Sequence, residues 1–214
     1  MASFGAAVAA GFPAIEMDLR LTRDGHVVVL HDATVDRTTD GKGRISHLDW
    51  KEVAGLDTRD GPVPRLDDLM ASLRAWDGLW NLEVKAPAAL VGVLELAARH
   101  GLDSRSLVSA MDPEVLEEAQ ALAPHVPRGF IALGPIEEDD LDAARSAGAR
   151  WINADHDYLD ADEAARILGA GFRLGAYTIN RADRAKELAA LGVECVITDD
   201  EAVLAALGKP LAAW

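Results

Sequence analysis

"AIEMDLRLTRDGHVVVLHD", running from Ala14 to Asp32, sets Glu16 and Asp18 two residues apart in an otherwise apolar stretch that reads as a strand. Successive side chains on a strand point to opposite faces, so residues i and i+2 share a face and the two acids project together. Like charges held that close repel, and desolvation adds to the cost. A divalent cation neutralises both. A strand end at the solvent edge with both acids hydrated is the alternative reading of a bare E-x-D. The same segment then turns at "RDG" and continues through the apolar "HVVVL" to His31-Asp32, directly after Val27 to Leu30.

From Trp80 onward, short β-rich runs alternate with helical stretches. Strands are expected at Trp80 to Lys85, Ser106 to Met111, Arg128 to Leu133, Arg150 to Asp155, Phe172 to Thr178 and Glu194 to Asp199. The stretches between them mostly begin with acids or an N-cap residue and several end at Gly, the usual punctuation of helices. Repeated β-α units with short loops demand parallel strands joined by right-handed crossovers. With Ala14 to Arg20 added, seven such strands are expected. A closed (β/α) barrel needs eight and usually about 250 residues, so the chain reads as one unit short. The doubly wound open sheet competes, weakened because no Gly-rich phosphate loop follows the first strand. Residues 20–65 break the pattern and are expected to form an insertion subdomain after a strand's carboxyl end, within one domain spanning 1–214.

The 214 residues suffice for one substantial core. A net charge of −15 argues against a nucleic-acid partner, which requires clustered Lys and Arg, and is compatible with cation binding. No stretch is long and apolar enough for a transmembrane helix, and "ASFGAAVAAGF" has neither a basic leader nor a cleavage site, so a cytoplasmic protein is expected. The single cysteine, Cys195 in "VECVITDD", excludes an intrachain disulfide framework and reads as a small core residue.

Three strand-end clusters carry chemistry: Glu16-x-Asp18, His31-Asp32 and Glu83-x-Lys85. On a barrel all three open onto one mouth. Glu16, Asp18 and Glu83 then supply hard oxygen ligands suited to Ca²⁺ or Mg²⁺, and Lys85 adds a point charge for a phosphate. Among the other histidines, His156 is best placed, just past "RWINAD", although a rim residue is the plainer reading. His26 lies in a turn, while His47, His100 and His125 read as surface or connecting residues. Asp199 and Asp200 read as helix caps sooner than as ligands, and Arg37 in "DRTTDGKG", within reach of a phosphate, reads more plainly as a solvated loop charge.

The run "AGFPAIEMDLRLTRDGHVVVLHDATVDRTTDGKG", with "VPRLDDLM", "LWNLEVKAP" and "AYTINRADRAKELAALGVECVITDD", closely resembles the glycerophosphodiester phosphodiesterase family. The resemblance covers essentially the whole chain. It implies a TIM-type (β/α) barrel that hydrolyses glycerophosphodiesters to an alcohol and glycerol 3-phosphate with a divalent cation. By the same resemblance the metal acids fall on Glu16, Asp18 and Glu83, His31 matches one of two catalytic histidines, and Lys85 matches the lysine beside the phosphate. The family's substrate-side Trp appears here as Tyr177 in "YTIN". In the family the glycerol hydroxyl is thought to attack first, which requires a second base opposite the leaving group.

That second base is not found in the sequence given. Family members usually begin with a strand ending in His-Arg-Gly, followed by Glu-Asn-Thr; "MASFGAAVAAGF" matches only the helix after them. The expectation is therefore a barrel lacking its first strand, either a fragment of a complete enzyme or a shortened homologue. The alternative function is a catalytically impaired homologue that binds cation and phosphodiester without turnover. A phospholipase acting on sphingolipid or inositol lipid headgroups ranks lower, because no apolar loop suggests membrane docking. The expected partner is a small-molecule glycerophosphodiester, with no nucleic acid and no stable membrane insertion, and unpaired sheet edges would favour a homo-oligomer.

Overall fold

The computed structural model describes residues 2–59, 61–208 and 214. The chain forms two compact units, Met1–Ser106 and Leu107–Trp214.

In the first unit, helix α1 (Ala2–Ala10) leads into strand β1 (Ala14–Leu21), which pairs antiparallel with β2 (Val27–Val29). Short elements follow: α2 (Trp50–Val53), the ribbon β3 (Asp57–Thr58) and β4 (Gly61–Pro62), and α3 (Leu66–Ser72). Strand β5 (Leu79–Val84) then lies parallel to β1, and α4 (Leu90–Arg99) closes the unit. Strand β1 alternates as its sequence requires: Ile15, Met17 and Leu19 are buried, while Glu16, Asp18 and Arg20 line a half-buried opposite face. All of β5 is buried, which fits its nearly continuous apolar run. Its register sets Asn81 beside Glu16 and Glu83 beside Asp18.

The turn between β1 and β2 is closed by Thr22 and His26, whose main chains hydrogen-bond at 3.0 Å, with Gly25 at φ +87°. The following loops bury their own apolar cluster of Val28, Leu30, Val35, Ile45, Val53 and Val63, flanked by Leu48, Trp50 and Leu56. Asp49 and Glu52 form a reciprocal capping box that starts α2. Much of the 20–65 segment thus packs around a core of its own.

The second unit is a run of parallel strands, β6 (Ser106–Ala110), β7 (Arg128–Ala132), β8 (Trp151–Asp155), β9 (Arg173–Tyr177) and β10 (Cys195–Val196), adjacent in chain order. Between and after them lie α5 (Pro113–Leu122), α6 (Glu138–Ser146), α7 (Ala161–Gly169), α8 (Ala182–Ala190) and α9 (Glu201–Leu207). Asp112, Asp160 and Asp200 cap α5, α7 and α9 through their carboxylates, as the acid-led helix starts predict. The expected strand from Glu194 to Asp199 is reduced to Cys195–Val196. Beyond Val196, Asn180 Oδ1 accepts from the Asp199 N–H at 2.9 Å and from the Thr198 hydroxyl at 3.1 Å, so side-chain bonds replace part of the ladder.

Asn153, 2% exposed on β8, sits close to Gly129 and Gly175 on the neighbouring strands. A Cβ at Gly175 would lie 2.3 Å from Asn153 Oδ1. Gly175→Ala is therefore expected to destabilise the protein by about 1–3 kcal/mol in urea unfolding, through overpacking against the buried Asn153 side chain. Unchanged stability would show that the interior has slack at this level.

Candidate metal and catalytic site

Glu16, Asp18 and Glu83 converge because β1 and β5 are parallel and in register. The two β1 acids are i and i+2 on one face, and Glu83 is the cross-strand neighbour of Asp18. One carboxylate oxygen from each of the three lies within 4.8 Å of the others. Lys85, two residues past Glu83, turns its ammonium back onto the cluster, 3.2 Å from Asp18 Oδ1 and in contact with Glu83 Oε1.

The electrostatics follow from burial. Glu83 is 9% exposed, and loss of water pushes its pKa up; the hydrogen bond and charge of Lys85 pull it down, and the charge of Asp18 pushes it up again, leaving it above the ordinary value. Burial works to discharge Lys85, but the hydrogen bond to Glu83 and the charges of Glu83 and Asp18 outweigh it, so the ammonium is held more firmly than usual. Three carboxylates against one ammonium leave a surplus of negative charge in a partly desolvated place. Hard oxygen donors in that number suit a divalent cation completed by water or a substrate oxygen.

His31 reaches the same end of β1. The Leu30 N–H donates to the Asp18 carbonyl at 2.9 Å, carrying the chain from β2 alongside the acids. The imidazole is 62% exposed, with Nδ1 2.7 Å from Asp32 Oδ1. Arg37 grips the same carboxylate, Nε to Oδ2 at 2.6 Å and Nη2 to Oδ1 at 2.9 Å. The hydrogen bonds from Arg37 and from His31 hold the Asp32 carboxyl well below the usual carboxylate range. An ionised carboxylate only accepts, so Nδ1 carries the proton and Nε2 is the nitrogen free to exchange one.

Sequence reading missed Arg20, whose guanidinium donates twice to the His31 carbonyl, at 2.9 Å from Nε and 2.7 Å from Nη2. Its place two residues after Asp18 on the acid face was the available signal. Arg37 is exposed as expected, yet it is committed to Asp32 rather than simply solvated. His100, at the C-cap of α4, is partly buried, with Nε2 2.7 Å from Asp67 Oδ1.

In the second unit, Tyr177 ends β9 and its hydroxyl donates to the Ala132 carbonyl at 2.6 Å. His156 follows β8 in a turn capped by Asp155, and its carbonyl accepts from Arg184. Cys195 is buried with Leu107 and Trp151, a core residue as its strand context predicts.

The sequence profile of the Glycerophosphoryl diester phosphodiesterase family matches residues 1–203. The chain belongs to this family. It is 26% identical, over 95% of its own length and 89% of the other protein's, to the glycerophosphodiester phosphodiesterase of Caldanaerobacter subterraneus subsp. tengcongensis. Its fold matches that of an Oleispira antarctica phosphodiesterase solved in complex with the product sn-glycerol-3-phosphate, with a TM-score of 0.89 and 24% identity over 95% of this chain and 88% of that one. The glycerophosphodiester phosphodiesterase of Thermotoga maritima gives a TM-score of 0.77 at 21% identity, covering 95% and 89% of the two chains. The fold is thereby the TIM-type α/β architecture expected from the motifs.

Proposed function

We propose that the chain hydrolyses glycerophosphodiesters to an alcohol and glycerol 3-phosphate, using Ca²⁺ or Mg²⁺ held by Glu16, Asp18 and Glu83. The observation that carries this reading is the convergence of three carboxylates from two strands, in a chain of this family, with His31 following a segment hydrogen-bonded to Asp18. When bound, the cation would act as a Lewis acid and template for the phosphoryl oxygens. Lys85, fixed as an ammonium beside Asp18 and Glu83, supplies a further positive charge for the phosphodiester. As the imidazolium, His31 gives its Nε2 proton to the departing alkoxide and becomes the neutral ring, whose remaining proton stays on Nδ1 against Asp32. Tyr177, at the carboxyl end of its strand, is assigned to the substrate by family resemblance, and the 20–65 segment as the subdomain facing it.

Purified protein with Ca²⁺ or Mg²⁺ should release glycerol 3-phosphate from glycerophosphocholine in a coupled assay. Tight binding of the diester by calorimetry with no product would replace this reading with that of a homologue that binds without turnover.

Cation binding also has a readout independent of turnover. Ca²⁺ or Mg²⁺ at a hundred times its dissociation constant should stabilise the fold by about 2.7 kcal/mol and raise Tm, whereas Glu16→Ala should abolish the rise. A cation-independent Tm would remove the metal role from the three acids.

A further inference from the structure

The His31 imidazole is mostly in water, so packing cannot hold it in one orientation, and hydrogen bonds must. They come from both ends of the residue. Arg20 directs two donors at the main-chain carbonyl of His31, and it does so from β1, on the face that carries Glu16 and Asp18. The strand that sets the acids therefore also grips the backbone that carries the imidazole. At the other end, Asp32 Oδ1 accepts a hydrogen bond from Nδ1–H, and the Arg37 fork holds both oxygens of that carboxylate. Without the fork, the half-buried Asp32 side chain would be free to rotate away from the ring.

We propose that Arg20 and Arg37 are positioning residues for His31, Arg20 fixing its main chain and Arg37 fixing, through Asp32, the tautomer and orientation of its ring. The proposal rests on the reading of His31 as the proton carrier, and it deepens that reading by naming what keeps Nδ1–H on Asp32, so that the imidazolium gives up its proton from Nε2 and is left as the Nδ1-protonated neutral ring. Neither arginine is asked to touch substrate.

Nitrogen-15 NMR of the histidine rings tests this without reference to turnover. At a pH where His31 is neutral, the wild type should show the Nδ1-protonated tautomer, and Arg37→Met should move a substantial fraction to the Nε2-protonated form, with Arg37→Lys intermediate. Arg20→Lys should keep the tautomer but lower the ring's order parameter, since Asp32 and Arg37 remain. In the assay, Arg37→Met and Arg20→Lys should each lower kcat on the order of tenfold with KM within twofold, because misplacement of a proton donor affects chemistry more than binding. Arg37→Met should leave Ca²⁺ affinity unchanged. An unaltered tautomer in Arg37→Met overturns the role of Arg37, and an unaltered order parameter in Arg20→Lys overturns that of Arg20. A fully active His31→Ala overturns the reading of His31 as proton carrier instead, and leaves the ring spectra to judge the positioning.

Discussion

Glu16→Ala should lower glycerol 3-phosphate release by about a thousandfold, the size expected when a centre that stabilises transition-state charge is lost. The three acids act as a unit because each contributes an oxygen to a cluster spanning 4.8 Å at most. Removing one leaves two carboxylates that Lys85 already contacts, as it lies 3.2 Å from Asp18 and touches Glu83. The remaining pair and the Lys85 ammonium carry half the surplus negative charge of the intact cluster and one ligand oxygen fewer, and the attraction for a divalent cation falls accordingly. Glu83→Gln should behave alike in turnover, while relieving the cost of keeping a charge at a site that is 9% exposed. Product release measured against added Ca²⁺ or Mg²⁺ checks both variants. Retention of wild-type kcat in Glu16→Ala would end the case for a metal site there.

The second large effect is expected at His31. His31→Ala should reduce kcat by about 10²- to 10⁴-fold, the range of general acid–base contributions. Folding stability should change by no more than about 0.5 kcal/mol, since the ring is largely exposed and buries little apolar area. Ca²⁺ affinity should be preserved, which separates this variant from those of the acids. The loss should shrink for a glycerophosphodiester with a p-nitrophenyl leaving group, whose departing oxygen needs no proton. Equal losses for choline and p-nitrophenyl esters would move His31 from the leaving group to another step.

Parts of this architecture were legible because they repeat. The β-α alternation after Trp80 is periodic, and the expected strands correspond to β5 through β10 within a few residues at most ends. The acid pair was legible for the same reason, since i and i+2 on a strand must share a face. Irregular pairings were not legible in that way. The apolar run after His26 forms an antiparallel partner of β1, which a reading focused on parallel units did not count. Arg20 binds a main-chain carbonyl and Arg37 a carboxylate five residues away; such bonds follow loop geometry and leave no period in the sequence. The last strand shortened because Asn180, a side chain far off in sequence, captures Asp199 and Thr198.

The alternation of β1 also bears on quality control. A slip of one residue in its pairing with β5 would swing Ile15, Met17 and Leu19 onto the charged side and drive Glu16, Asp18 and Arg20 among the greasy ones. The mistake that dismantles the chemistry therefore also dismantles the hydrophobic interior. A well-folded molecule with this strand out of phase is a species that purification should never yield, and any loss of turnover in soluble protein has to be sought in side chains rather than in strand alignment.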